Sequence, residues 1–453
     1  MRIHFIAIGG SAMHNLAIAL HIKGYQITGS DDHIFEPSRS RLKKYNLLPE
    51  KEGWYPEKIT KDIDVVVVGM HAHKDNPELE KAIQLGIKTY SYPEFLYEQS
   101  RDKKRVVIGG SHGKTTTTSM ILHILESSGI KFDYMVGAQL KGFEVMVKLT
   151  DDAEVIIMEG DEYLSSPLDP RPKFHLYRPH IAAITGIAWD HINVFPTFEN
   201  YLSQFEKFIE LIEPNGTLYH YSQDEALNRI VKDSKDDINK VSYNSLKSSE
   251  QDYNLNQIEY AGQQIPLKVF GDHNLANLQL AIKICKELGV SDETIIQAIP
   301  HFEGASNRLE LVDSNEDITI YKDFAHAPSK LKATVEAIKK QYPQREIIAC
   351  LELHTYSSLN KKFMSEYSGT MDKADLPIIY FNPKTVERKR LPKLSGDDIE
   401  QGFCNDDLII FTSPEAFTSY INGVINKNQV FLFMSSGDFG GVDIKELSKK
   451  ILE

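Results

Sequence analysis

Short apolar runs alternate along this chain with segments whose apolar residues recur at helical spacing. Ile3–Ile8 is the first such run, followed by Gly9-Gly10 and by a periodic segment Ala12–Lys23 that Gly24 closes. Val65–Val68 reads as a second buried strand, and Pro77–Leu85 as a helix ending at Gly86. Continuous apolar runs bounded by glycine turns and helices mark strands covered on both faces, so the pattern predicts parallel, doubly wound sheets. The charged stretch Arg101-Asp102-Lys103-Lys104-Arg105 is expected to be a linker or solvated turn, with a boundary near residue 102. A second α/β unit starts at Val106-Val107-Ile108, continues through Val155–Met158 and Ile181–Ile184, and closes with a helix over Asn274–Leu288. A third begins near Leu311, with strands at Ile318–Tyr321, Ile347–Leu351, Leu408–Phe411 and Val430–Met434. Helices over Lys330–Lys340 and Pro414–Ile421 lie between them. Three α/β domains are expected, over residues 1–101, 102–310 and 311–453.

Composition narrows the class. The 453 residues agree with three domains at roughly 150 each. A net charge of −13 repels phosphate backbones and argues against a nucleic-acid partner. Cys285, Cys350 and Cys404 are widely spaced and form no CxxC, which suits a reducing cytosol without disulfides or a zinc cluster. No apolar run approaches the roughly 18 residues that span a bilayer. His4, Gly9-Gly10 and His14-Asn15 interrupt any signal-like stretch at the N-terminus. A cytoplasmic location with no membrane partner is expected.

The strongest chemical signal is Gly109-Gly110-Ser111-His112-Gly113-Lys114-Thr115-Thr116, between a buried strand and a helix. Small residues let backbone N–H groups close around phosphate oxygens, Lys114 adds a point charge, and the Thr115 hydroxyl can ligate Mg²⁺. The strict motif has glycine where Ile108 stands, so this is a shortened variant. Glu159 and Asp161-Glu162 follow the strand Val155–Met158, at the end where open parallel sheets bind ligands. Mg²⁺ takes one or two carboxylates plus phosphates, which makes Glu159 the partner for Thr115; a solvated acidic loop is the alternative. Asp190-His191 ends another strand, and the pair reads equally as structural or as a metal site. Ala7-Ile8-Gly9-Gly10-Ser11-Ala12 is a weak Rossmann-type turn, with Asp31 placed where an acidic residue would meet a ribose.

Taken in order, these motifs resemble the Mur ligases. The resemblance rests on Gly110 to Thr115, Glu159, Asp190-His191 and Gly271-Asp272-His273-Asn274-Leu275-Ala276-Asn277. It continues through Gly304 to Arg308, Asp323-Phe324-Ala325-His326 and Ser436-Gly437-Asp438. It implies an α/β fold of three domains: N-terminal Rossmann-like, central P-loop ATPase-type parallel sheet, and C-terminal Rossmann-like. It also implies an ATP- and Mg²⁺-dependent amide ligase of peptidoglycan synthesis or recycling, acting as a monomer or weak dimer.

By resemblance, Gly110, Ser111, His112, Gly113, Lys114, Thr115, Thr116, His273, Asn274, Asn277, Arg308, Asp323 and His326 would bind ATP. Thr115, Glu159 and His191 would hold metal, and Lys114, Glu159 and His191 would be catalytic. Gly9, Gly10, Ser11, Ala12, Met13, Ser30, Asp31 and His112 would meet the uridine-nucleotide substrate, UDP-N-acetylmuramic acid. The stretches Asp161-Glu162-Tyr163, Asp169 to Phe174, Tyr177-Arg178-Pro179, Gly69 to Pro77, Tyr92 to Tyr97 and Ser435 to Gly441 resemble the recycling branch. That branch takes the tripeptide L-alanyl-γ-D-glutamyl-meso-diaminopimelate as amine donor; the alanine-adding branch is the alternative. Arg171, Lys173, His354 and Tyr356 are candidate peptide contacts.

The departures from the family pattern are Gly186 and Ala188, where Asn and Glu are usual, and Ala327 in place of a second histidine. Thr355 stands where an arginine commonly meets the incoming carboxylate, and a carbamylated lysine known in relatives would fall near Lys207. Two other classes stay open on the residues alone. A nicotinamide oxidoreductase leaves the Gly-Lys-Thr loop unexplained, and a P-loop ATPase leaves the first domain without a task.

Overall fold

The computed structural model describes residues 1–70, 72–140, 142–166, 169–247, 256–305 and 308–453. His71, within the stretch Gly69 to Pro77, and Ser306-Asn307, within Gly304 to Arg308, lie outside the described residues. The chain forms two compact units: Met1–Ile187 with Glu199–Asn244 and Leu280–Val290, and Ala188–Phe198 with Ser245–Gln279 and Ser291–Glu453. The first two expected domains thus contribute to one unit.

In the first unit a four-stranded parallel sheet runs in the order Gln26–Ser30, Arg2–Ile6, Val65–Val68, Lys88–Ser91. Val65–Val68 is buried throughout, as a central strand must be, whereas Gln26–Ser30 is an edge strand of mixed polarity and gave no apolar run. The helix Ser11–Ile22 begins directly after Gly10 and buries Leu16, Ala17 and Leu20. A seven-stranded sheet follows, with Lys104–Gly109 between Ile181–Ile184 and Val155–Glu159. Its pairings are parallel except for the two-residue edge strand Val147–Lys148.

The charged stretch before this sheet is only in part a solvated turn: Arg101, Asp102 and Lys104 are exposed. Lys103 and Arg105 are buried, and Arg105 belongs to the strand Lys104–Gly109. The Lys103 ammonium donates to Asp133 Oδ2 at 2.7 Å and to the carbonyls of Thr150 and Ala153 at 2.6 and 2.8 Å. The Arg105 guanidinium donates to the carbonyls of Ser100, Arg101, Lys103, Tyr177 and Arg178, and to Glu213. Buried cations persist only when paired and hydrogen-bonded. These two meet that demand by tying together backbone segments around the start of the central sheet.

The second unit holds the antiparallel hairpin Asn256–Tyr260/Gln263–Leu267 and a six-stranded sheet. That sheet runs Glu310–Ser314, Ile318–Asp323, Gln429–Met434, Glu346–Leu353, Leu376–Phe381, Ile409–Phe411, with only the first strand antiparallel. Along Glu346–Leu353, Ile347, Ala349 and Leu351 enter one core, while Ile348 and Cys350 enter the other. Period-two alternation between two buried faces explains the unbroken apolar runs in the sequence. All three cysteines are free thiols, with Cys285 and Cys350 in the core. Among the described residues no helix is long and apolar enough to cross a membrane.

The central sheet turns into its helix through Gly110, at φ 123°. A Cβ there would lie 2.2 Å from Thr185 Oγ1 and 2.8 Å from the Thr185 backbone N, so no side chain fits. Gly110→Ala is expected to destabilise the unit by roughly 2–4 kcal/mol, combining clash and strained backbone. Gly129→Ala, where nothing lies within 4 Å of the added carbon, should cost roughly 1 kcal/mol. Urea unfolding followed by circular dichroism compares the two.

Candidate active site

The helix Lys114–Glu126 starts where the strand Lys104–Gly109 ends, with Gly113 as its N-cap. Its first-turn N–H groups have no intrahelical acceptors and carry the positive end of the helix dipole, so the loop favours an anion. Ser111 N donates to the carbonyl of Gly186 at 2.9 Å, and Thr185 Oγ1 donates to the carbonyl of His112. The departure at Gly186 thus acts through its backbone, with His112 beside its α-carbon. Thr115 Oγ1 donates to Glu159 Oε1 at 2.9 Å, and Gly137 N donates to Glu159 Oε2 at 3.0 Å. Lys114 Nζ donates to Glu162 Oε2 at 2.7 Å. Burial works against the Lys114 charge, but Glu162, Asp161 and Glu159 outweigh it and hold the ammonium above its ordinary value. The acidic segment is therefore not a solvated loop. Glu159 and Glu162 are buried, and each carboxylate has a separate task.

A cavity of about 850 Å³ opens beside this loop within the same unit. Gly9, Gly10, Ser11 and Ala12 line it on one side, and Glu159, Asp161, Lys173 and Tyr177 on the other. Met13, Ser30, Asp31 and His112, expected at the same substrate, are not among its lining residues. Met13 and Ser30 are buried in the first domain, and the Ser30 carbonyl accepts from Ala7 and Ile8 N–H. Asp31 turns inward to accept from Gly9 N at 2.7 Å, so it shapes the turn and Asp32 reaches the cavity instead. A Cβ on Gly9 would lie 2.9 Å from the same carboxylate oxygen. Arg41, His14, Tyr92 and Tyr177 also line the cavity; no motif pointed to Arg41 or His14, whereas Tyr92 and Tyr177 open two of the stretches that resemble the recycling branch. Burial, opposed by the Gly10 carbonyl and aided by Arg41, lowers the pKa of His14 and favours its neutral form. The Tyr177 hydroxyl is buried and has no hydrogen-bond partner among the described residues. Burial, with Tyr92, Asp161 and Glu159 nearby, keeps that phenol protonated.

The second unit gathers the other expected residues into two groups. Asp323 accepts from Leu309 N at 3.1 Å and from Thr334 Oγ1 at 2.6 Å, and His273 feels its charge. Asn274, expected at the adenine, is buried and donates to the carbonyl of Phe270 at 2.8 Å; Asn277 is buried one turn on. Arg308 lies over the Phe324 ring, 4.5 Å from its centroid. His191, at φ 55°, sits next to Asp190, whose carboxylate faces His191, Lys330 and His326. Burial of Asp190 opposes its charge, but those neighbours prevail and hold its carboxyl below the usual range. Burial, Lys330 and Arg308 push His326 down to about 4, Asp190 and the Phe324 carbonyl opposing, so it is a neutral imidazole near pH 7. Left-handed backbone at a non-glycine position costs about 1–3 kcal/mol and clusters at working sites.

The candidate peptide contacts divide likewise. Arg171 is exposed and donates to Asp169 and Glu94, so its guanidinium already has carboxylate partners. Lys173 pairs with Asp161 at 2.5 Å and faces the cavity beside the phosphate loop. His354 and Tyr356 follow the strand Glu346–Leu353, and buried Glu352 lies 3.4 Å from His354 Nδ1. Lys207 is exposed on the helix Phe198–Glu210, while Tyr201 on the same helix turns inward. Its hydroxyl lies 2.8 Å from Ser111 Oγ and donates to Glu162 Oε1 at 3.1 Å. A single tyrosine in an amphipathic helix gives no sequence signal.

A chamber that adjoins a phosphate loop, with a second glycine turn on its far wall, defines an α/β enzyme that uses a nucleotide on a separate substrate. The sequence matches the Mur ligase family catalytic domain over residues 2–104, the Mur ligase middle domain over 108–285, and the Mur ligase glutamate ligase domain over 307–437. A UDP-N-acetylmuramate–L-alanine ligase of Sulfurihydrogenibium sp. (strain YO3AOP1) is 31% identical over 448 residues, covering 96% of this chain and 95% of that protein. The solved murein peptide ligase of Psychrobacter arcticus 273-4 superposes with a TM-score of 0.68 at 22% identity, covering 100% of this chain and 98% of that one. The UDP-N-acetylmuramate–alanine ligase of Thermotoga maritima gives 0.69 at 20% identity, with the same coverage. The chain belongs to the Mur ligase family, whose members are ATP-dependent amide ligases that form a C–N bond.

Burial raises Asp31 to about 6, with Asp32 adding to the effect and the Gly9 and His33 N–H groups opposing it. The fold therefore favours the protonated acid. Its contribution to stability is complete below the ordinary value near 4 and is lost as pH rises through 6. Asp31→Asn keeps an acceptor for Gly9 N–H but cannot ionise. The melting temperature of the variant relative to the parent should rise between pH 4 and pH 7.5; a flat difference would show that folding leaves the Asp31 pKa unshifted.

Proposed function

We propose that this chain joins the lactyl carboxylate of UDP-N-acetylmuramic acid to the alanyl amine of L-alanyl-γ-D-glutamyl-meso-diaminopimelate, at the expense of ATP. The observation that carries the chemistry is the shared chamber, with a nucleotide-type glycine turn on one wall and Glu159 of the phosphate loop's carboxylate set on the other. Support for a peptide comes from Thr355. In the position where an arginine would meet a free amino acid's carboxylate, its hydroxyl donates to Ser358 Oγ at 2.9 Å and accepts from Ser358 N at 3.0 Å. It closes a turn and offers no cation. The second reading, alanine as donor, is favoured by the names of relatives at 31% identity and below.

A carboxylate and an amine do not condense in water, because hydroxide leaves poorly and a carboxylate is a poor electrophile. Attack of the lactyl carboxylate on the γ-phosphorus of ATP gives an acyl phosphate and ADP. The amine then attacks the acyl carbon, phosphate leaves, and the amine gives up its extra proton. Such phosphoryl transfer is chiefly a matter of positioning and charge neutralisation. The loop N–H groups and Lys114 would hold the phosphates, and Lys173 would steer the substrate carboxylate into the cavity. The donors at Thr115 and Glu159, one hydroxyl and one carboxylate beside a phosphate cradle, suit Mg²⁺, which when bound neutralises phosphate charge. His191, with Asp190 beside it, is the further metal ligand that the family resemblance suggests.

Phosphate release with ATP, Mg²⁺ and UDP-N-acetylmuramic acid should show a kcat/KM for the tripeptide at least about tenfold above that for alanine. Equal or better use of alanine would move the protein to the alanine-adding branch. Lys114→Ala should retain the fold yet lose turnover by about a hundredfold or more. Ordinary turnover in that variant would refute the phosphate-site assignment.

A further inference from the structure

Three carboxylates follow the strand Val155–Glu159 within four residues, and each has its own partner. Glu159 takes Thr115 and Gly137, Asp161 takes Lys173, and Glu162 takes Lys114. An ammonium has three N–H donors. In Lys114 one meets the Gly110 carbonyl at 2.5 Å and another meets Glu162 Oε2 at 2.7 Å. The opposite oxygen of Glu162 accepts the Tyr201 hydroxyl, whose oxygen also lies against Ser111 Oγ of the loop. Tyr201 is fully buried and meets Phe205 edge-on at 5.2 Å, so its ring has little freedom. A closed path thus runs from the loop at Ser111, through Tyr201 and Glu162, to the loop again at Lys114.

We propose that Glu162 and Tyr201 are positioning residues that hold the Lys114 ammonium at one fixed point of the phosphate loop, with its third N–H left for a nucleotide's terminal phosphates. This rests on the reading that the loop takes the phosphates of ATP. A lysine stem is flexible, and placement is what phosphoryl transfer rewards. The same Glu162 carboxylate is an anion beside an anionic ligand. It opposes ground-state binding of the nucleotide while it fixes the cation that the moving phosphoryl group needs. Affinity and turnover therefore respond to this contact with opposite sign.

The test uses the full chain. Glu162→Gln keeps the shape and removes the charge. Its kcat is expected to fall about a hundredfold, while calorimetric Kd for adenylyl imidodiphosphate with Mg²⁺ stays level or tightens. Lys114→Ala should weaken both. Tyr201→Phe keeps the ring against Phe205 and should lower kcat about tenfold, with Kd within about twofold of the parent. Glu162→Asp returns the charge and should recover part of the lost kcat. Parent-like kcat in both Glu162→Gln and Tyr201→Phe overturns the assignment. So does analogue binding that weakens in step with kcat, which is the mark of a merely structural role. Should Glu162→Gln fail to fold, the same split in Tyr201→Phe decides. A parent protein that does not bind the analogue refutes the ATP reading itself, and this assignment with it.

Discussion

A buried ammonium requires a counter-charge, and the ion pair of Lys114 with Glu162 is the constraint around which the phosphate loop is arranged. Glu162 is 1% exposed, so removing its partner would strand a carboxylate away from water. The pair explains why the acidic segment after the strand Val155–Glu159 folds back over the loop rather than into solvent. It also explains the division of labour among three neighbouring acids. Glu159 at the strand end meets the hydroxyl of Thr115, Asp161 reaches Lys173 at the chamber wall, and Glu162 points beneath the loop. Gly110 is required for the same reason, because the backbone must pass within contact of Thr185 to bring lysine and carboxylate together.

The chamber inherits its shape from two further buried cations. Lys103 and Arg105 make nine such contacts between them, three from Lys103 and six from Arg105, to the chain around the central sheet. Because Arg105 holds the carbonyl of Tyr177, it also fixes the segment that brings Lys173 and Tyr177 to the cavity wall. The fold and the cavity wall of the first unit thus share one set of charge-assisted hydrogen bonds. A further long-range contact is made by Asp31, which accepts from Gly9 N and shapes the glycine turn.

In the second unit the expected residues have structural partners of their own. Asp323 ties the strand Ile318–Asp323 to Leu309 and to the helix Pro328–Gln341, and it also places a negative charge near His273. Asp190 faces Lys330, His191 and His326, and His326 in turn gives its carbonyl to the Tyr367 hydroxyl. Thr355 closes a turn where a cation would suit a free amino acid. Its geometry, and not the similarity of the whole fold, bears on the amine donor, since solved relatives of both branches superpose equally well.

The sequence by itself determined what local chemistry encodes. Two-sided burial writes unbroken apolar runs, so Val65–Val68, Val155–Glu159 and Gln429–Met434 were legible as inner strands. A strand, a glycine-rich turn and Lys114-Thr115 at a helix start spell a phosphate-loop motif because its residues are contiguous, although the partners that hold it, Glu159, Glu162 and Gly186, lie far along the chain. The edge strand Gln26–Ser30 lacks such a run and was not legible, whereas the edge strand Ile409–Phe411 keeps an apolar run and was. Only the tertiary structure decided that Lys103 and Arg105 are buried, since their charge alone suggests solvent and their partners lie up to about a hundred residues away. It likewise turned Tyr201 inward and Lys207 outward on one helix, gave Arg171 to Asp169, and set Asp32 rather than Asp31 at the cavity. In each case the residue type fixes what bonds are possible, and long-range packing selects which of them is made.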